Sequence, residues 1–103
     1  MIFQSLIEKL IVHLVNLLSN PATCEHGLFR VDELKNNSSG LFNEVHVIVE
    51  KKLIDKCADM ANNESSYLAA KQVATMVKRN QYGLFKDFPE KVKRRIDEKK
   101  NQA

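Results

Sequence analysis

Apolar residues recur three and four positions apart along almost the whole of this chain, and that period admits little besides α-helix. Phe3, Leu6, Ile7, Leu10, Ile11, Leu14, Leu17 and Leu18 trace one such face, which predicts a helix over residues 3–18. From Leu10 onward Val12 and Val15 fill the flank of that face, so the second half of the helix is apolar nearly all round. A helix of this kind is central in a fold or covered by something else. Asn20-Pro21 ends it, because the residue before a proline is driven out of helical conformation.

Residues 21–27 read as a turn, and Leu28, Val31 and Leu34 support a short helix of about two turns over residues 28–36. The run Asn36-Asn37-Ser38-Ser39-Gly40 is a loop. Over Leu41–Asn62 the spacing predicts a long helix, with Phe42, Val45, Val49, Leu53, Cys57 and Met60 on one face. Val47, Ile54, Ala58 and Ala61 form a narrower stripe roughly opposite, and contacts on two sides imply a central position. Ser65 or Ser66 is placed to cap a helix over residues 67–79, whose Ala69, Ala70, Val73, Met76 and Val77 turn inward. Asp87-Phe88-Pro89-Glu90 opens the last helix with a capping Asp, a first-turn proline and a Glu at the third helical position. Phe88, Val92 and Ile96 carry its apolar edge, with fraying expected after Lys99.

The expected fold is therefore all-α, one domain over residues 1–103, a compact bundle of four main helices plus one short helix. A triplet, Gly-Leu-Phe, begins at Gly27, Gly40 and Gly83, the last two 43 residues apart. That distance lies within the roughly 40–47-residue period of HEAT and armadillo repeats, which makes a stack of helical hairpins the alternative arrangement.

A chain of 103 residues has room for one hydrophobic core, and 44% hydrophobic against 28% charged residues fills it without metal or disulfide support. Cys24 and Cys57 are the two cysteines, 33 residues apart and outside any CxxC pair, which points to a reducing intracellular setting, cytoplasm or nucleus. The apolar N-terminal run contains Glu8, Lys9, His13 and Asn16, so it is expected to be neither a signal peptide nor a membrane span. Asn36, Asn37 and Asn63 begin glycosylation-like triplets, read here simply as surface loops.

Enzyme chemistry needs groups that converge, and the sequence offers few. There is no Gly-rich phosphate loop, no GxSxG and no HExxH. Cys24 and His26 stand two apart in the expected turn, half of a nucleophile–base or metal pair, while His13, His46 and Cys57 are scattered without ligand spacing. Cys57 is expected as a small core residue, Cys24 and His26 as exposed turn residues, and His46 as a half-buried side chain hydrogen-bonded to Glu50. No catalytic residue, metal or cofactor is assigned.

Charge is unevenly divided: residues 1–50 carry three Lys/Arg and six Asp/Glu, residues 51–103 thirteen and seven. A basic C-terminal half is a signature of an anionic partner, and Lys78-Arg79 followed by Lys91-Val92-Lys93-Arg94-Arg95 has the form of a bipartite nuclear-import signal. Around the last helix, however, acids and bases interleave. Only Lys91, Arg95 and Lys99, at roughly 300°, 340° and 20° on the helical wheel, form an unbroken basic strip beside the apolar edge.

The sequence therefore points to a helical adaptor or regulatory module that binds another protein, through a groove or through the over-apolar part of the first helix: Leu10, Val12, Val15 and Leu18. A homodimer is compatible with that surface, and membrane attachment is not expected. The alternative is a nucleic-acid-binding domain using Lys78, Arg79, Lys91, Arg95 and Lys99.

Overall fold

Helical spacing becomes five helices in a computed structural model that describes residues 2–37 and 44–102: α1 (Ile2–Leu18), α2 (Cys24–Lys35), α3 (Val45–Ala61), α4 (Tyr67–Lys78) and α5 (Phe88–Gln102). No strand occurs among the described residues. α3 packs against each of the other four helices. α1 and α5 flank it in one layer, while α2 and α4 pack on each other in a second. The shortest dimension of the molecule, 21 Å, matches two layers of helices about 10–12 Å across.

The two hairpins are one unit used twice. α1 and α3 are each 17 residues long and begin 43 residues apart; α2 and α4 are each 12 residues long and also begin 43 apart. α5 begins 43 residues after α3. The turns repeat as well. Asn20 Oδ1 accepts from the Ala22 N–H at 2.9 Å, and Asn63 Oδ1 from the Ser65 N–H at 3.0 Å. Thr23 Oγ1 donates to the Leu17 carbonyl at 2.7 Å, and Ser66 Oγ to the Met60 carbonyl at 2.8 Å. Every partner in the second turn stands 43 positions after its counterpart. The bundle thus has the internal order of stacked hairpins, and each new helix pair buries the face its predecessor leaves open.

Several sequence expectations change in detail. α2 begins at Cys24, not Leu28, because the Asn20–Thr23 turn closes earlier and the Thr23 carbonyl already accepts the Gly27 N–H at 2.9 Å. Gly27 therefore lies inside a helix, whereas Gly83 lies in the α4–α5 turn at φ +69°, and Gly40 is outside the described residues. Leu41 and Phe42, expected on α3, are also outside them. Ser66 stands at the N-cap of α4 but makes no side-chain cap, since its hydroxyl is turned back to Met60. Asp87 adopts φ +59°, and its carbonyl receives the Lys91 N–H at 3.0 Å.

The core is continuous through both layers. Leu14 and Leu18 of α1, Val31 of α2, Val49, Leu53 and Cys57 of α3, Val73 and Val77 of α4, and Phe88 of α5 are fully buried within it. Asn80 fixes the approach to α5: its amide donates to the Val77 and Leu84 carbonyls, and its carbonyl oxygen accepts from the Tyr82 and Leu84 N–H groups. Leu84 and Phe85 are thereby folded under α5.

Candidate functional site

The outer face of the α1–α3–α5 layer carries an open groove of about 980 Å³. Its position follows from the repeat, because three copies of the same helix lie side by side and solvent meets their common outward face. Three aliphatic side chains stand in this groove without cover: Val12 at 57% exposure, Val47 at 56% and Ile48 at 39%. Val47 is left out of the core because it falls on the face of α3 opposite Val45, Val49 and Leu53, and Ile48 because it stands on the flank of that face.

Of the four first-helix residues singled out from sequence, only Val12 is exposed. Leu10 is half-buried beside a different hollow, Val15 reaches the edge of the groove while 7% exposed, and Leu18 is wholly in the core. The excess apolar character of α1 is therefore largely accounted for by burial. Sequence reasoning offered a groove or the over-apolar part of α1, and the exposed apolar side chains of the groove come from α1 and α3 together.

The predicted basic strip has an internal role. Lys91 pairs with Glu50 at 3.0 Å, Arg95 with Asp55 at 2.9 Å and Glu98 at 3.3 Å, and Lys99 with Asp55 at 3.1 Å and also with Asp59. Together these cations clasp α5 to α3. Burial tends to raise the Asp55 pKa, but hydrogen bonds from Arg95 and Lys99 outweigh it and hold the carboxyl below its ordinary value. The same contacts raise Arg95 and Lys99. Lys78 and Arg79, at the end of α4, are exposed and do not line the groove. The five residues of the nucleic-acid alternative are thus divided between a clasp and a separate surface.

With the clasp engaged, the acids of the groove already have partners. Asp55, Asp59 and Glu98 are all held by Arg95 or Lys99. Lys51, Lys52 and Arg94 are exposed and have no ion pair among the described residues, and Lys56 donates at 2.9 Å to the uncharged amide oxygen of Asn16. Of these four only Arg94 was named from sequence, within the import-signal-like run, and none was assigned to a site. Aligning the chain with itself at 43 residues would have found all four, since Lys51 falls on Arg94, Lys52 on Arg95 and Lys56 on Lys99.

The remaining candidates are brought together only in part: His13 and His26 line one hollow with Glu33, and Cys24 and Cys57 share the core. Cys24 is fully buried in the first turn of α2, not in an exposed turn, while His26 points to solvent. Burial, and then Glu25, push the Cys24 thiol up to about 11; burial and Cys24 push Cys57 up to about 12 against the pull of Lys56. Both thiols are therefore poor nucleophiles in the folded chain. His46 is half-buried with its Nδ1 unpartnered among the described residues, and Glu50 is turned to Lys91 instead. Among the described residues no three His, Cys, Asp or Glu converge as metal ligands, and no helix is long and apolar enough to cross a membrane. No protein-family model matches the chain, and no curated protein or solved structure shows significant similarity to it.

Proposed function

We propose that this chain is a helical interaction module that takes up a segment of another protein in the groove across α1, α3 and α5. The observation that carries this reading is the grouping of Val12, Val47 and Ile48, each exposed, in one 980 Å³ concavity. Single exposed aliphatic residues are ordinary on any surface; a group that shares a groove marks a contact site. The fold favours such use, because repeated helices build a rigid face whose outward side chains are free to vary while the inward ones hold the core.

A random peptide library displayed on phage tests the reading directly. Selection on the wild-type domain, with counter-selection on Val12→Asp/Ile48→Asp, is expected to enrich peptides that bind only the intact groove. Their amide shift perturbations should fall on α1, α3 and α5. Both substitutions are at exposed positions, so folding is expected to be unaffected to within about 0.5 kcal/mol. Failure to enrich any groove-dependent peptide would reject the proposal.

A further inference from the structure

Resting on that reading, we infer that the groove selects an acidic protein segment with apolar anchors between its carboxylates. The basis is the division of charges on the face. Among the described residues the three carboxylates lining the groove, Asp55, Asp59 and Glu98, share the two cations Arg95 and Lys99, whereas Lys51, Lys52, Lys56 and Arg94 have no ion pair, so positive charge is in excess. The site therefore presents cations beside aliphatic surface, and the complementary ligand carries anions beside aliphatic side chains.

The 43-residue repeat adds a spacing. Lys51 of α3 and Arg94 of α5 occupy equivalent repeat positions, and both line the groove. Equivalent positions on stacked neighbours are separated by one interhelix distance, roughly 8–10 Å. An extended chain advances about 3.3 Å per residue, so carboxylates about three residues apart match that step. Lys51 and Arg94 thus make one step across the helices, from α3 to α5, while Lys52 and Lys56 stand one turn apart along α3.

A nucleic acid fits less well. Its phosphates have no use for Val12, Val47 and Ile48, and among the described residues no aromatic side chain lines the groove for a base to stack on.

The composition of the groove-dependent peptides decides the matter. They are expected to be rich in Asp and Glu at three-residue intervals, with Leu, Ile or Val between. Binding should weaken steeply with salt and fall about tenfold or more with Lys51→Glu/Lys52→Glu/Arg94→Glu, whose thermal midpoint serves as the folding control. Groove-dependent peptides of neutral or basic composition would overturn this inference and leave the interaction module standing; no groove-dependent peptide would remove both. A single-stranded or duplex oligonucleotide that displaces the selected peptides at physiological salt would also overturn it.

Discussion

Gly27 shows how closely single residues are matched between the layers. A Cβ built there would lie 2.9 Å from Leu18 Cγ and 3.2 Å from Leu17 Cβ, too close for either to remain in place. In the second hairpin the equivalent positions are Ala70 and Ala61, so the small-against-large pair of the first becomes small against small. Gly27→Ala gains roughly 0.8–1 kcal/mol of helix propensity but incurs an overpacking penalty of about 1–3 kcal/mol, for a net loss near 1 kcal/mol. In a Leu18→Ala background the nearest obstruction is removed and Leu17 Cβ at 3.2 Å remains, so the same change is expected to cost less or to stabilise. A double-mutant cycle by urea denaturation measures this coupling, and additive effects would contradict it. None of this was legible in the sequence, where Gly27 looked like a turn residue: its neighbours satisfy a turn locally, and only contact with α1 requires a residue without a side chain.

Elements were more legible than their junctions. The three-four spacing located every helix, since one buried face suffices to produce it, and the apolar edge of α5 (Phe88, Val92, Ile96) is buried or half-buried as the wheel required. The wheel also isolated Lys91, Arg95 and Lys99, but a single helix cannot reveal that carboxylates of another helix stand opposite. Those carboxylates give α5 a dependence on pH. Hydrogen bonds from Arg95 and Lys99 overcome the opposing effect of burial and leave Asp55 with a lowered pKa in the fold. Its contribution is therefore present above the unfolded carboxyl value of about 3.9 and is lost as pH falls through the lower folded value. Wild type should exceed Asp55→Asn in urea midpoint at neutral pH, and the gap should close as the solution is acidified below about pH 4. Because Asp55 is partly exposed, the gap should also shrink in high salt. A gap that widened in acid would place the stabilisation elsewhere.

At the scale of the molecule, the 43-residue period explains both the two layers and the groove, yet in the sequence it surfaced only as one repeated triplet. Stacking needs a conserved geometry and volume, and many residue combinations supply these, as Leu18–Gly27 and Ala61–Ala70 do. Arrays of repeats are often loosely coupled, with one unit able to open while its neighbour stays closed. Here α3 belongs to the second unit by sequence but touches every other helix, so the two hairpins are expected to open together. The buried thiols turn that into a measurement, for Cys24 lies in the first hairpin and Cys57 in the second, and both are inert until water reaches them. In dilute denaturant an alkylating reagent should modify the two at one common rate, far below that of a free thiol, as read by peptide mass spectrometry. Two distinct rates would mean that the hairpins open separately. Without any added label, the chain reports on its own cooperativity.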